Sequence, residues 1–300
     1  MKTFARGTDA SADFDFIYTY GFIDMKTRII TALVLLCVFI PVLVFSDTVV
    51  FPAVISIISL VTVYEYLKCL GFDKKYVLSI PAFLLSLALP LAAEFKSDTG
   101  FVLITAAVFA IYLFYLFAYA VFKRGKLLYS SVTSVFTGIF YIVGAMVCVV
   151  LLRRSAGGEY LYLLIFISAW ITDTFAYFTG RFFGKHKLIE EISPKKTVEG
   201  SIGGSLFCIL SYLLFGFIVG RKFDITPNYP MLALSALVVS LVAQIGDLIF
   251  SLIKREHGIK DYGKIFPGHG GMLDRIDSII PVAFMLYILV SIGGGFSFFA

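Results

Sequence analysis

The sequence predicts an all-α integral membrane protein, a polytopic bundle of about nine transmembrane helices with its N-terminus in the cytoplasm. Three observations lead there. Of 300 residues, 59% are hydrophobic and only 15% charged, with a mean hydropathy of +0.94, which is more apolar surface than a soluble globule can bury. The apolar residues come in runs near the roughly 20 residues that a helix needs to cross a hydrocarbon core. These runs are apolar on every face, unlike the alternating segments of outer-membrane strands. Finally, the basic residues between the runs alternate in density along the chain.

Taken in order, the first run, 29–45, follows Lys26 and Arg28 and stops at Ser46-Asp47. The second, 48–67, ends at Lys68, and the third, 76–93, lies between Lys74-Lys75 and Glu94. The fourth, 101–122, stops at Lys123-Arg124, and the fifth, 128–152, at Arg153-Arg154. The sixth, 160–178, leads into Gly180-Arg181, and the seventh, 200–220, runs from Glu199 to Arg221-Lys222. The eighth, 231–253, follows Pro230 and meets Lys254-Arg255, and the ninth, 278–299, follows Asp277. Of the 25 Lys and Arg residues, 20 fall in alternate loops counted from the N-terminal segment and 5 in the others. The positive-inside rule therefore puts the N-terminus in the cytoplasm and Ala300 outside. One span more or fewer in mid-chain would spoil the alternation.

Residues 1–24 are polar, with Asp9, Asp13 and Asp15, and lack the basic start and cleavage site of a secretory signal. They read as a tail, from an extended start, a vector or nature, because Met25-Lys26-Thr27-Arg28 opens the first run as membrane proteins commonly begin. Residues 25–300 then form a single polytopic membrane domain, with N-terminal helices over 29–152 and the chemistry-bearing helices and loops over 160–300. No internal repeat or low-complexity linker divides it. Cys37, Cys69, Cys148 and Cys208 stand singly, without zinc or disulfide spacing, and read as packing residues.

Two predicted cytoplasmic loops stand apart, 181–199 and 254–277, each with five basic and several acidic residues. The helices leading into them carry Asp173 and Asp247 amid apolar neighbours, where an ionised side chain is costly unless it faces a cavity, a cation or a polar neighbour. At 100° per residue, Gln244, Asp247, Ser251 and Lys254 share an arc of about 80° on one helix face. That stripe suits a functional face or a helix–helix hydrogen-bonding seam.

The second loop, with Gly263, Gly268, Gly270 and Gly271 among Lys254, Arg255, Lys260, Lys264 and Arg275, suggests a polyphosphate and a metal. Glycines let backbone N–H groups approach phosphate oxygens, Lys and Arg supply positive charge, and carboxylates hold Mg²⁺. Asp274 and Asp277 also sit where a following helix would favour a capping carboxylate, and for Asp277 capping and ligation are equal alternatives. In the first loop, the bases of Gly180-Arg181 and Ser193-Pro194-Lys195-Lys196-Thr197 are either phosphate contacts or solvated anchors that attract anionic lipid. There is no Walker A sequence and no dinucleotide fingerprint. His186, His257 and His269 lack zinc spacing, and His269, between two glycines, reads as a turn or phosphate contact.

Ser251, Lys254-Arg255, Lys260-Asp261, Gly263, Phe266-Pro267, His269-Gly270-Gly271 and Asp274-Arg275-Ile276-Asp277 together resemble the signature of the phosphatidate cytidylyltransferase (CDP-diglyceride synthetase) family. The Gly180-Arg181 and Ser193–Thr197 stretches resemble that family's nucleotide-side motif, so the likeness covers roughly 160–278. The first five helices carry no motif.

The resemblance implies transfer of a cytidylyl group from CTP to phosphatidate in phospholipid biosynthesis, at a multi-pass site in the cell inner membrane with cytoplasmic loops. It implies a metal centre with Mg²⁺ and K⁺, in which Asp247 and Asp274 are ligands, with Asp277 as a further candidate. Lys254 and Arg275 are candidate catalytic residues beside them. Ser193, Lys195, Lys196, Thr197, Arg181, Lys260, His269, Gly270 and Gly271 are candidates for holding the nucleotide. It also implies a homodimer among membrane lipids, with no nucleic acid. Two alternatives are a CTP-dependent lipid kinase acting on polyprenol or phytol, and a transporter, whose broken helices also carry intramembrane carboxylates.

Overall fold

The computed structural model describes residues 30–95, 99–123, 128–291 and 298–299, apart from 32 and 36. The predicted tail 1–24 lies outside them, as does most of the end of the ninth span. Apolar helices stand at all nine predicted positions among the described residues. In chain order they and the short elements are α1 (Leu33–Val44), α2 (Val50–Cys69), α3 (Tyr76–Ala92), α4 (Thr99–Phe122), α5 (Tyr129–Arg154), α6 (Gly158–Leu161) and α7 (Leu163–Phe183). Then follow β1 (Lys187–Ile189), β2 (Ser193–Thr197), α8 (Val198–Phe223), α9 (Tyr229–Glu256), α10 (Leu273–Ile276) and α11 (Ile279–Ser291).

Among the described residues, six helices are long and apolar enough to cross a membrane, with α6 and α7 counted together, whereas α1, α3 and α11 are shorter apolar helices. The chain is an all-α polytopic membrane protein, with one antiparallel hairpin, β1 with β2, among those residues. That hairpin corrects the reading of 181–199 as plain loop.

Helix ends also differ from the expectation. The helix of the sixth predicted span, α7, continues to Phe183, so Arg181 rides on its last turn, and α9 continues to Glu256, so Lys254 is helical. Local chemistry explains the starts. Thr197 Oγ1 accepts from Gly200 N at 3.1 Å with Glu199 in the first turn of α8, and Asn228 Oδ1 accepts from Met231 N ahead of α9, both N-terminal caps.

Without a hydrophobic force between helices in lipid, association depends on close packing of small residues and on interhelical hydrogen bonds. On α8, Gly203 leaves no room for a Cβ against Thr179 of α7, and on α9 Gly246 leaves none against Pro281 of α11. The central post is α5, with 78% of its apolar window buried against 28% for the peripheral α4. It packs on α2, α3, α4 and α11, while α7, α8, α9 and α11 pack together as the second half.

The loop ends sort into two sets. At one end, Thr31 Oγ1 donates to Pro267 O at 3.2 Å, Leu273 N to Glu65 Oε2 at 2.8 Å, and Lys196 reaches Asp247 at 2.7 Å. At the other, Arg153 Nε donates to Ser46 Oγ at 3.0 Å, Arg154 pairs with Glu94, and Asn228 N donates to Phe298 O at 2.9 Å. The first set joins segments rich in Lys and Arg and the second joins those poor in them, which is the alternation counted along the sequence. The four cysteines are free, and Cys148 and Cys208 are buried among packed helices.

Candidate active site

The 259–277 segment folds back on the ends of α2 and α9. Its tightest turn is Phe266–Gly270, where Phe266 N donates to Gly270 O at 3.0 Å and His269 N to Phe266 O at 2.9 Å. Gly268 and Gly270 have φ of 75° and 83°, a region that side-chain-bearing residues rarely adopt. His269 Nδ1 is buried with no hydrogen-bond acceptor or donor opposite it among the described residues.

Asp274 is the fixed point of this segment. Its Oδ1 accepts from Lys254 Nζ at 2.8 Å, and its Oδ2 from Tyr262 N at 2.8 Å and Gly271 N at 2.9 Å. Both charged residues are 8% exposed, so the pair holds the segment to α9 out of water. Tyr262 closes over Lys254, its ring centroid 5.5 Å from Nζ, and donates its hydroxyl to Phe250 O at 2.9 Å. Burial pushes its phenol far above the ordinary range, which keeps it a neutral donor.

A second group forms between the hairpin and α9. Lys196 Nζ lies 2.7 Å from Asp247 Oδ2 and donates to Gln244 O at 3.3 Å, while Ser251 Oγ donates to Asp247 Oδ1 at 3.2 Å. Ser278 Oγ donates to Asp173 Oδ2 at 2.9 Å, and Ser278 N to Asp277 Oδ1 at 2.9 Å. Burial, the Asp247 carboxylate and, more weakly, that of Asp173 push the Asp277 carboxyl up to about 8, against the pull of Lys254. Asp173, Asp247 and Asp277 thus share one electrostatic neighbourhood with Lys196, Lys254 and Arg275, in which a bound cation would replace the proton that burial and the neighbouring carboxylates hold on Asp277.

Beside these groups lies a cavity of about 550 Å³ lined by Lys195, Lys260, Lys264, Arg275, His269 and Asp261, with backbone from Gly263 and Gly270. Four cations against one acid, in a volume typical of small-molecule sites, suit a polyanion. Arg275 belongs to both parts, since it lines the cavity and acts electrostatically on Asp173.

The structure therefore brings Lys195, Lys260, His269, Gly270 and Arg275 to one cavity, and Asp247, Lys196 and Asp277 to the carboxylate group. Lys254, Asp274 and Gly271 form the buried clamp between them. Three candidates stand elsewhere. Arg181 is exposed and donates to Tyr177 Oη at 2.9 Å, Thr197 serves as the α8 cap, and Ser193 begins β2 opposite Ile189. Of the polar stripe on α9, Gln244 turns to α8, donating to Ser205 Oγ at 3.2 Å, while Asp247, Ser251 and Lys254 serve the site. The hydrogen-bonding-seam reading of that stripe thus holds for Gln244.

Sequence reasoning missed Glu65, which reaches the segment from α2, while Lys264 and Asp261, noted there only as members of the loop, stand in the cavity wall. A lone acid in an otherwise apolar span was the available signal for Glu65.

The sequence pattern of the cytidylyltransferase family matches residues 26–293 of this chain. Among curated proteins, the phosphatidate cytidylyltransferase of Staphylococcus haemolyticus is 34% identical over 275 residues, covering 89% of this chain and 99% of that protein. Those of Staphylococcus epidermidis and Staphylococcus aureus strain COL are 35% and 34% identical over 271 and 272 residues, with the same coverage. With the fold, the signature residues and the full-length likeness in agreement, the chain belongs to the cytidylyltransferase family.

Proposed function

We propose that the chain is a phosphatidate cytidylyltransferase, which converts CTP and phosphatidate to CDP-diacylglycerol and pyrophosphate. The observation that carries this reading is the cavity of Lys195, Lys260, Lys264 and Arg275 opening beside the Asp173, Asp247 and Asp277 carboxylates at the basic end of the bundle. A water-soluble polyanionic nucleotide and a lipid phosphate must meet at such a boundary.

A phosphomonoester has its second pKa near about 6, so the phosphatidate phosphate is largely dianionic at neutral pH and needs no strong general base. One of its oxygens bonds to the α-phosphorus of CTP, the bond from that phosphorus to the bridging oxygen breaks, and the electron pair leaves with pyrophosphate. Lys195, Lys260 and Lys264 hold the triphosphate, and Arg275 bridges it to the carboxylate group. Their charge, fixed before the reaction, offsets the repulsion between two polyanions and stabilises the leaving pyrophosphate. The Lys254–Asp274 clamp orients Arg275 one residue away.

The donor set fits Mg²⁺, a hard cation that takes one or two carboxylates together with substrate phosphates and waters rather than a complete protein cage. Among the described residues no three His, Cys, Asp or Glu side chains form such a cage. Asp247 and Asp277 would hold the ion, with Asp274 a further candidate ligand. When bound, it would neutralise phosphate charge and align the reacting groups. K⁺ in the same centre, a homodimer, and a cell inner-membrane location with cytoplasmic loops complete the proposal, supported by the resemblance and the charge alternation.

Purified protein given phosphatidate, Mg²⁺ and CTP labelled at one phosphorus tests this. Label from the α position is expected in a lipid product and label from the γ position in pyrophosphate. A lipid kinase gives the opposite partition with its own alcohol substrate, and a transporter gives neither. Absence of α-labelled lipid from folded protein overturns the proposal.

A further inference from the structure

We infer that Glu65, on α2, is a positioning residue for the 271–275 turn, holding it from the N-terminal half of the bundle while the Lys254–Asp274 pair holds it from the other. Glu65 is 2% exposed, in a helix whose other buried residues around it are Thr62, Val63, Tyr66 and Leu67. A buried carboxylate at such a position is costly unless something uses it.

The loop uses it. Glu65 Oε2 accepts from Leu273 N at 2.8 Å, and the adjoining Met272 amide acts on the same carboxylate electrostatically. Two separate passes of the loop close on the other oxygen. A Cβ on Gly263 would lie 2.0 Å from Oε1 and one on Gly271 2.4 Å, so glycine at both positions is what lets the backbone reach the acid. Oε1 itself is buried with no hydrogen bond among the described residues.

The consequence runs through three adjoining groups. Gly271 N donates to Asp274 Oδ2 at 2.9 Å, Asp274 Oδ1 takes Lys254 at 2.8 Å, and Arg275 follows in the cavity wall. Glu65 thereby fixes the amides immediately preceding Asp274, and touches neither the cavity nor the Asp247 group. It acts through the loop.

Three proteins compared in detergent test this: wild type, Glu65→Gln and Glu65→Ala. In Gln an amide oxygen replaces Oε2 at equal volume and still accepts from Leu273 N. Its kcat is expected within about threefold of wild type, whereas kcat of Glu65→Ala falls about a hundredfold with the KM for CTP changed less than about tenfold, the signature of misorientation rather than lost binding. Hydrogen exchange supplies the second readout. In Glu65→Ala the Met272 and Leu273 amides should exchange at least about tenfold faster while the α5 and α9 cores keep their protection.

The activity arm rests on the proposed cytidylyl transfer. The exchange arm does not, so a wild-type protein without that activity would fail the functional proposal and leave this one decided by exchange. Wild-type kcat and unchanged exchange in Glu65→Ala, damage from Gln equal to that from Ala, or protection lost uniformly through α5 and α9 would each overturn the assignment.

Discussion

Replacing Asp274 by Asn removes one charge and exchanges one acceptor for a donor, in a place where the surroundings are fully specified. The carboxylate takes Lys254 Nζ on one oxygen and the Tyr262 and Gly271 amides on the other. With Asn, if the oxygen faces the two amides, the NH₂ meets the Lys254 ammonium; turned over, the NH₂ meets two N–H groups. Both orientations leave buried donors facing each other, and Lys254, 8% exposed, loses its counter-charge. Breaking a buried pair in this way costs about 3–5 kcal/mol. Lys254→Met removes the ammonium and leaves Asp274 its two amide donors, at a smaller cost of about 1–3 kcal/mol. The double variant no longer buries an uncompensated lysine, so its cost should fall below the sum of the singles by about 1–3 kcal/mol. Unfolding midpoints in one detergent should therefore fall from wild type to Lys254→Met to Asp274→Asn, with the double variant melting above the point that adding the two single shifts gives. Each variant should transfer α-labelled phosphorus from CTP to lipid at least about a hundredfold more slowly, since a loss of about 3 kcal/mol at the transition state is worth that factor. A double variant whose shift equals the sum of the two single shifts, or near-normal turnover in Asp274→Asn at ordinary Mg²⁺ concentration, refutes the reasoning.

Asp247→Asn separates activity from stability in the opposite sense: its pair with Lys196 is about a quarter exposed on each side, so the melting cost stays under about 1 kcal/mol, while transfer falls at least about a hundredfold. A large melting shift with retained turnover would reverse that assignment. Gly138→Ala drives a Cβ to 2.0 Å from the ring of Tyr66, which is 4% exposed and tied by its hydroxyl to Ser134 O at 2.9 Å. The overpacking should cost about 1–3 kcal/mol, read as a lower unfolding midpoint, and an unchanged midpoint would show that α2 and α5 separate easily. For topology, Lys195→Cys and Lys222→Cys in a background without the four native cysteines should label with an impermeant maleimide from the cytoplasmic and external faces respectively. Labelling of position 195 from outside intact cells would reject the charge argument and the nucleotide's route together.

What the sequence could say depended on how local each signal was. The nine runs were legible because bilayer thickness sets their length, and the polar stripe on α9 because helical period alone puts Asp247, Ser251 and Lys254 on one face. The helix ends were not, since Arg181 and Lys254 are as compatible with a last turn as with a loop. Thr197 reads in the sequence as a nucleotide contact beside two lysines, and the helix starting at Val198 instead takes its hydroxyl as a cap. The hairpin carries no period-two apolar pattern, its β2 being Ser-Pro-Lys-Lys-Thr, so nothing in the residues separated it from coil. Glu65 was hardest, because its hydrogen bond runs to a residue 208 positions away and no spacing announces such a contact.

That distance bears on why the first five helices are present at all, although the signature lies entirely in the second half. In lipid, apolar surface gives no preference for a helix over its hydrocarbon surroundings, so helices around the site contribute through fit and hydrogen bonds. The loop at 259–277 has glycines where it must approach other backbone, and glycines surrender the most conformational freedom on ordering. Such a segment needs anchors on more than one side. It has Lys254 and Phe250 of α9 on one flank, and Glu65 of α2 on the other, with Thr31 reaching Pro267 from the first helical segment. The α2 anchor is itself held, because the next residue, Tyr66, is locked against Gly138 and Ser134 of α5. An unbroken series of contacts thus runs from the most buried helix of the bundle to the turn that carries Asp274 and Arg275. The N-terminal helices therefore act as the rigid wall against which a glycine-rich phosphate loop is set, which explains how they serve the chemistry while carrying no motif for it.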